Sequence, residues 1–285
     1  MRSLTWHCRD LQFQLDSRCL VMGIVNVTPD SFSDGGQFFS PQKAVEHALQ
    51  LVQEGADILD LGGESSRPGS QPVSLDEELK RVLPVVQQLS QNTKVPISID
   101  TTKAEVARQC LAAGASIIND ITGLRGDPLM MDVVRQFTAG VIVMHMQGTP
   151  ATMQLDPRYH DVVAEVNLFF SQRLEELTSA GIAAEQICFD PGIGFGKTLE
   201  HNLLLLKHLN TSQSLNRPLL LGVSRKGVIG QINGKPRHER VIGSLASVGY
   251  GMARGAVQVV RVHDVEATRD FVSIYSAIRS VDSKP

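Results

Sequence analysis

The feature of this sequence that most constrains its fold is a series of eight short apolar runs. These runs are Val21 to Val25, Ile58 to Leu61, Val95 to Ile99, Ile117-Ile118, Val141 to Met144, Ile187 to Phe189, Leu219 to Val223 and Val259-Val260. Apolar β-branched runs that alternate with helical stretches are typical of parallel strands buried on both faces. The series therefore predicts an α/β fold of the (β/α)8, or TIM, barrel type, with functional residues at the carboxyl ends of the strands.

Length and hydropathy fit one such barrel. We expect a single domain over residues 1–285, with the barrel core at about 20–280. The segment from Thr5 to Leu15 alternates weakly in hydropathy, which predicts a short N-terminal β-hairpin. Since it precedes the first barrel strand, the hairpin is expected to close the bottom of the barrel.

Charge and cysteine content argue against several classes of protein. The 27 basic and 30 acidic residues leave a net charge of −3, so no nucleic-acid partner is predicted. No apolar stretch is long enough to span a membrane, and the N-terminus does not resemble a secretory signal. The four cysteines lie far apart without metal-binding spacing, which predicts reduced thiols in a cytoplasmic protein.

Helix-start signals follow several of the runs. Ser40 stands before a proline, and capping-box patterns begin at Ser74 and at Thr102. A longer helix is predicted over residues 158–180, and Asp264 is a candidate cap of the last helix. These signals place helices between the predicted strands, as a (β/α)8 barrel requires.

Two βα loops are too long and too polar to be simple connectors. The first runs from Asn26 to Gly36, and the second runs from Gly62 to Gly69. Ordinary βα loops hold a few residues, and longer ones are usually functional lids or disordered segments. We expect both loops to overhang the same barrel mouth and to exclude water from a reactive intermediate. Surface insertions are the alternative, but Asn26 and Arg67 at the strand ends favour lids.

Polar residues that follow the strands fall into two sets. The first set is Asp100, Asn119 and Asp190. The second set is Arg67, Arg261 and His263. Taken singly, an aspartate after a strand can be a helix cap or a turn residue. The side chains of the first set, however, would converge from three strands, which suits a flat heterocycle with several N–H groups. The second set suits an anion.

The glycine-rich segment from Asp190 to Lys197 invites comparison with a phosphate-binding loop. Its spacing excludes a P-loop, because Pro191 stands where the first glycine is required. We expect its glycines to let the backbone approach a ligand beside Asp190, with Phe195 as an apolar wall. His145, at the end of the preceding strand, is expected to have a structural role.

Eight motifs, in order and at matching intervals, are similar to those of the dihydropteroate synthase family of pterin-binding barrels. They are NVTPDSFSDGG from Asn26, GGESSRPG from Gly62, SIDT from Ser98, IND from Ile118, HMQGTP from His145, DPGIGFGK from Asp190, SRK from Ser224 and RVHD from Arg261. The resemblance implies a transferase of folate biosynthesis that uses Mg²⁺. Such an enzyme joins 6-hydroxymethyl-7,8-dihydropterin pyrophosphate to p-aminobenzoate and releases pyrophosphate.

The resemblance also implies a role for each polar residue. The implied catalytic residues are Asp100, Lys226 and Arg67. The implied pterin pyrophosphate ligands are Ser66, Asp100, Asn119, Asp190, Lys226, Arg261 and His263. The implied p-aminobenzoate contacts are Ser66, Pro68, Phe195 and Lys226, and the implied Mg²⁺ ligand is Asn26. Asp100 would stabilise positive charge in an SN1-like loss of pyrophosphate that needs no protein nucleophile.

Two residues depart from the pattern common in that family. Ser66 stands where Thr is common, which removes a methyl group from the p-aminobenzoate wall. Gly227 stands where Ser is common, which removes a hydroxyl that could hold the substrate carboxylate. We therefore expect weaker or altered binding of p-aminobenzoate and its sulfonamide mimics, with pterin binding intact.

Two other functions are compatible with such a barrel. A corrinoid-linked methyltetrahydrofolate methyltransferase would share the Asp/Asn pterin site, but it would not need the first loop, SRK or the RVHD anion group. A non-catalytic pterin-binding paralogue is the second alternative, and loss of Asn26, Arg67 or Lys226 would indicate it. All three residues are present.

The resemblance implies a homodimer formed through late helices. The small-residue stripe that fits this expectation is Gly243, Ala246, Ser247 and Tyr250. Packing of the same stripe within the barrel is the alternative.

Overall fold

The structure is a computed structural model that describes residues 4–16, 18–28, 40–67 and 69–281. Its strands are β1 (Thr5–Cys8), β2 (Leu11–Gln14), β3 (Leu20–Asn26), β4 (Ile58–Gly62), β5 (Ile97–Asp100), β6 (Ile117–Asp120), β7 (Gly140–Met144), β8 (Ile187–Asp190), β9 (Leu220–Leu221) and β10 (Val259–Val262). Its α-helices are α1 (Pro41–Gln53), α2 (Leu75–Asn92), α3 (Ala104–Ala112), α4 (Met130–Phe137), α5 (Val162–Ser179), α6 (Leu199–Lys207), α7 (Gly227–Asn233), α8 (Val241–Ala253) and α9 (Val265–Ser280). Each strand from β3 to β10 overlaps one of the eight apolar runs.

Strands β3 to β10 form one parallel sheet in the order β8-β7-β6-β5-β4-β3-β10-β9. The sheet closes between β8 and β9, where Phe189 and Leu219 form a parallel bridge. At this seam the Phe189 amide donates a hydrogen bond of 2.9 Å to the Pro218 carbonyl. The prediction of a (β/α)8 barrel is confirmed.

The N-terminal hairpin closes the amino end of this barrel, as predicted. Strands β1 and β2 pair antiparallel, with Thr5 opposite Gln14. Trp6 on β1 is fully buried among apolar residues of the barrel strands, and its indole nitrogen donates to the Gln186 carbonyl at 2.8 Å. Opposite the hairpin, Gly140 leaves room for Cys8, since a Cβ at Gly140 would lie 2.2 Å from the Cys8 sulfur.

Two helix caps agree with the sequence. The Ser40 and Ser74 side chains each accept a hydrogen bond from a backbone amide three residues later. The structure contradicts the capping box at Thr102. Instead, α3 begins after Lys103, and its first amide, from Ala104, donates to Asp127 at 2.9 Å.

Two further helix predictions need correction. The long helix predicted over residues 158–180 begins only at Val162, because Asp161 accepts hydrogen bonds from two amides and caps it there. Asp264 precedes α9 but does not cap it, because its carboxylate binds the Arg225 guanidinium at 2.9 Å.

Most of the core lies between the strands and the surrounding helices. The largest cluster of buried apolar residues includes Val25, Leu61, Ile99 and Val260. All four cysteines are buried free thiols. In the parts of the chain that the structure describes, no helix is both long enough and apolar enough to cross a membrane.

Candidate active site

The barrel register brings the predicted polar residues to one rim. Asn26, Gly62, Asp100 and Asn119 are aligned across β3, β4, β5 and β6. Asp190 ends β8, so it reaches the same rim from the far side of the sheet. The first polar set, predicted to converge, is therefore brought together.

Arg261 on β10 crosses the barrel mouth and binds two carboxylates. Its Nη2 atom donates to the Asp100 carboxylate at 2.7 Å, and its Nε atom donates to Asp60. The same Asp60 oxygen also accepts a hydrogen bond of 3.1 Å from the Asn119 amide. Asp60 thus joins Arg261 of the predicted anion set to Asn119 of the predicted heterocycle set, and Arg261 itself joins Asp100.

Asp60 is a residue that the sequence analysis missed. It lies inside the apolar run from Ile58 to Leu61 and is fully buried. Its other carboxylate oxygen has no hydrogen-bond partner among the described residues. A charged residue inside an otherwise apolar barrel strand needs a buried partner, and that was the signal available in the sequence.

Asp100 has an unusual electrostatic environment. Burial raises its pKa to about 7, with Arg261 opposing the rise and Asp60 adding to it. A carboxyl group with such a pKa changes its charge near neutral pH, in contrast to an exposed aspartate. Its charge state can therefore control chemistry at this rim.

Lys226, at the start of α7, faces Asp190 across Gly222. A Cβ at Gly222 would lie 3.5 Å from an Asp190 carboxylate oxygen and 3.9 Å from the Lys226 ammonium nitrogen. Desolvation lowers the pKa of Lys226 to about 8, and the Asp190 charge opposes that shift. Burial raises the pKa of Asp190, and the Lys226 charge opposes that rise first. The two groups stabilise each other's charged forms.

Phe195 supplies an aromatic surface beside this pair. The Lys226 nitrogen lies 4.5 Å from the centre of the Phe195 ring and also donates to the Ile193 carbonyl. An aromatic face below a cation is a suitable wall for a flat, partly charged ligand. The Phe195 ring thus lies next to Lys226, and its role as an apolar wall for a ligand stays a prediction.

Two glycines of the segment after β8 lie close to the backbone of the loop that follows β7. A Cβ at Gly192 would lie 2.0 Å from the His145 carbonyl, and one at Gly196 would lie 2.4 Å from the Gln147 carbonyl. These glycines therefore allow two loops of the protein to pack together. Lys197 joins the same loops, with its nitrogen 3.0 Å from His145 Nδ1 and 2.9 Å from the Phe195 carbonyl. This arrangement agrees with a structural role for His145.

The second long loop is anchored at its base. Lys103 forms ion pairs with Glu64 and with the buried Glu78. Farther along, the Gly69 amide donates to the Pro150 carbonyl at 3.1 Å. Within this loop Ser66 is half-buried and Arg67 is exposed. Pro68, a predicted p-aminobenzoate contact, and residues 29–36 of the first long loop lie outside the described residues.

Comparison with known proteins agrees with this geometry. Residues 22–263 match the family model described as pterin binding enzyme. A dihydropteroate synthase of Synechocystis sp. is 48% identical over 267 residues, which are 93% of this chain and 92% of that protein. The chain belongs to the dihydropteroate synthase family.

Solved structures of dihydropteroate synthases share the fold. The Yersinia pestis enzyme, in complex with a sulfonamide drug, matches with a TM-score of 0.91 at 45% identity, covering 97% of this chain and 100% of that one. The Xanthomonas albilineans enzyme with 4-aminobenzoic acid matches with a TM-score of 0.91 at 44% identity, covering 98% and 100%. The (β/α)8 architecture is therefore that of this synthase family.

His263, a residue of the predicted anion set, has a lowered pKa. Burial lowers the pKa of His263 to about 3, and Arg261 and Arg237 lower it further. Its Nε2 atom lies 3.2 Å from the Arg237 guanidinium, which can only donate, so Nε2 accepts. The ring proton is then on Nδ1, which lies 3.0 Å from the Ser224 hydroxyl oxygen. No described hydrogen bond joins Arg67 to Arg261 or to His263.

The expected Mg²⁺ ligand of the synthase family, Asn26, is half-buried at the end of β3. Within the described ranges, no three His, Cys, Asp or Glu side chains form a cluster that could hold a metal ion. Mg²⁺ keeps several waters and is often held by few protein oxygens together with substrate phosphates. One amide oxygen at Asn26 would fit that mode of binding.

Proposed function

We propose that this chain acts as a dihydropteroate synthase, a transferase of folate biosynthesis. It joins 6-hydroxymethyl-7,8-dihydropterin pyrophosphate to p-aminobenzoate and gives 7,8-dihydropteroate and pyrophosphate. The observation that supports the proposal is the arrangement of charged and hydrogen-bonding side chains at the rim of the barrel, in a chain of this family. There the Asp60–Arg261–Asp100 ion pairs lie beside the hydrogen-bonding groups of Asn119, Asp190 and Lys226.

The pterin is bound by groups that match its ring edge. We assign Asp190 and Asn119 to the N–H groups of the pterin, because a carboxylate and an amide accept such hydrogen bonds. Lys226 lies beside the ring, and Phe195 provides an apolar face. Ser66, with Pro68, Phe195 and Lys226, is assigned to the p-aminobenzoate pocket.

Bond breaking needs stabilisation of charge rather than a protein nucleophile. The bond between the pterin methylene carbon and the pyrophosphate oxygen breaks, and its electron pair leaves with pyrophosphate. The ionised Asp100 stabilises the cation left on the pterin. The p-aminobenzoate nitrogen then forms the new carbon–nitrogen bond and loses a proton.

The leaving group is bound by cations at the same rim. We propose that Arg67, Arg261 and His263 line the diphosphate site, with the charge carried by the two arginines. Mg²⁺ bound at Asn26 would supply further charge neutralisation of the diphosphate. The half-buried position of Asn26 beside β4 supports this assignment.

A turnover assay tests the proposed function. Purified protein is mixed with the dihydropterin pyrophosphate, p-aminobenzoate and Mg²⁺, and both dihydropteroate and pyrophosphate are measured. We expect equal amounts of both products, with activity abolished in Arg67→Ala and retained in Arg135→Ala, an exposed arginine on α4. Pterin binding without either product would contradict the proposal and favour a non-catalytic paralogue.

Sulfonamide binding should respond to the residue at position 227. A Cβ at Gly227 would meet no atom within 4 Å, so a serine fits without strain. We expect Gly227→Ser to strengthen p-aminobenzoate and sulfonamide binding, because the new hydroxyl can hold the carboxylate or its mimic. Inhibition constants of a sulfonamide measure this effect, and unchanged constants would show that position 227 does not contact the inhibitor. Pterin affinity is the internal control.

We also propose a cytoplasmic location and a homodimer. Four buried free cysteines support a reducing compartment. The structure divides the predicted small-residue stripe, because Gly243 packs on Ile229 of α7 whereas Ala246 is exposed. An apolar surface remains on the outer faces of α8 and α9, which consists of Ile242, Ala246, Tyr250, Ile274 and Ile278. The proposed dimer buries this surface.

Charge on this surface should dissociate the dimer. We expect sedimentation at micromolar concentration to give a dimer for the native chain. The double variant Ile274→Glu and Ile278→Glu should give a monomer, since those side chains are 64% and 72% exposed in one chain. Leu168→Glu on α5, where Leu168 is 57% exposed, is the matched control and should remain dimeric. A native chain that sediments only as a monomer would refute the dimer.

A further inference from the structure

The turn between α7 and α8 contains Arg237, a cation to which no role in the proposed reaction has been assigned. Arg237 begins the short 3-10 helix Arg237–Glu239 and is exposed at the rim of the barrel. Its guanidinium donates to His263, a neutral ring whose other nitrogen faces Ser224. The hydrogen bond of the Arg237 side chain among the described residues is therefore to an uncharged acceptor, although Arg237 lies beside His263, a residue of the proposed diphosphate site.

The neighbouring arginines are held by other groups. Arg225 is paired with Asp264, and Arg261 is paired with Asp60 and Asp100. Arg240 donates to the Lys235 carbonyl at 2.8 Å and to two further backbone carbonyls. By contrast, no carboxylate of the described residues forms an ion pair with Arg67 or with Arg237.

Positive charge is concentrated around Arg237. Partial burial lowers its pKa, and the charges of Arg67, Arg225 and Arg240 lower it further, in that order. Two unpaired guanidinium groups that repel each other across an open rim are stabilised when an anion binds between them. An anion with several charged oxygens, such as a diphosphate, suits this arrangement best.

We propose that Arg237 binds the diphosphate of the substrate, and then the pyrophosphate product, together with Arg67. The identity of this anion rests on the proposed function. On binding, the Arg237 guanidinium exchanges the neutral His263 nitrogen for charged phosphate oxygens. Hydrogen bonds between two charged groups are stronger than those to a neutral acceptor, and the guanidinium fork matches phosphate oxygens in pairs. Arg237 is thus a specificity residue for the diphosphate.

Pyrophosphate itself is the direct probe. Isothermal titration calorimetry at fixed salt would measure its Kd for the full-length protein, for Arg237→Gln and for Lys235→Gln. Lys235 is an exposed cation two residues earlier, so its variant removes the same net charge from the same turn. We expect Arg237→Gln to weaken pyrophosphate binding roughly tenfold, as loss of one charge-assisted hydrogen bond implies. Lys235→Gln should change it by less than about twofold.

Steady-state kinetics separate a binding role from a structural one. We expect Arg237→Gln to raise KM for the dihydropterin pyrophosphate by a factor similar to the loss in pyrophosphate affinity. The KM for p-aminobenzoate and the affinity for the pterin alcohol without phosphates should not change. Arg237→Lys should recover part of the pyrophosphate affinity, because it restores the charge but not the paired hydrogen bonds.

The outcomes distinguish this inference from the proposed function. Suppose that the native protein makes dihydropteroate while Arg237→Gln and Lys235→Gln bind pyrophosphate with the same Kd. In that case the inference about Arg237 is wrong and the proposed function is supported. The inference would also be wrong if Arg237→Gln lost as much affinity for the pterin alcohol or for p-aminobenzoate as it lost for pyrophosphate. Such a result would show that Arg237 maintains the fold of the site. A native protein that neither binds pyrophosphate nor makes dihydropteroate would overturn both proposals.

Discussion

Replacement of Asp100 by asparagine should lower kcat/KM by about 100- to 1,000-fold, the usual effect of removing one electrostatic contact to a transition state. The asparagine side chain can still accept the hydrogen bond from Arg261, which is 2.7 Å long in the native protein. What the substitution removes is the negative charge that stabilises the pterin cation. Because the hydrogen bond survives, we expect pterin affinity to fall far less than kcat.

The pH dependence of kcat/KM for the native protein tests which charged groups the reaction needs. Ionised Asp100 and protonated Lys226 form the active state, and their pKa values are about 7 and about 8. Below the lower value Asp100 becomes protonated, so kcat/KM should fall as pH decreases. Above the higher value Lys226 loses its proton, so kcat/KM should fall as pH increases. We expect a narrow bell-shaped plot of kcat/KM against pH. Because Asp100 and Lys226 interact, its acid and alkaline limbs describe the coupled pair.

The Asp100→Asn variant gives the decisive comparison. Its residual activity should lack the acid limb and retain the alkaline limb. Asp132→Asn, a change at an exposed aspartate on α4, should keep both limbs and full activity. An acid limb that survives in Asp100→Asn would assign that limb to another group and contradict the role of Asp100.

Much of the fold could be predicted from the sequence because its cause is local. Each barrel strand is an apolar run, and parallel strands in a closed barrel place their carboxyl ends at one rim. That rule brought Asp100, Asn119 and Asp190 together without any knowledge of their contacts. The caps at Ser40 and Ser74 were equally accessible, since each involves an amide three residues away.

The features that were missed depend on partners distant in the sequence. Thr102 does not cap α3, because the carboxylate of Asp127 accepts the hydrogen bond from the first amide of that helix. Asp264 is bound to Arg225 from the preceding βα unit, so it does not cap α9. The low pKa of His263 results from burial, with Arg261 and Arg237 lowering it further, so it too depends on packing that the sequence does not show. Side-chain pairing across different loops has no periodic signature in a sequence.

Asp60 is the most consequential of these distant contacts, and two substitutions should show why. Asp60→Ala removes an acceptor of Arg261 and of Asn119 in a fully buried position. We expect a loss of about 3–5 kcal/mol in the free energy of unfolding, the usual result of breaking a buried ion pair on one side. Urea denaturation with a linear extrapolation measures it.

Asp60→Asn keeps an acceptor for both donors and removes only the charge. The stability loss should be smaller, about 1–3 kcal/mol, because the amide nitrogen occupies the place of the unpaired carboxylate oxygen. The Asp60 charge raises the pKa of Asp100. Its removal should therefore move the acid limb of kcat/KM to lower pH. An unchanged acid limb in Asp60→Asn would show that Asp60 orients Arg261 without affecting the pKa of Asp100. An acid limb at lower pH would show that the Asp60 charge adds to the effect of burial on that pKa.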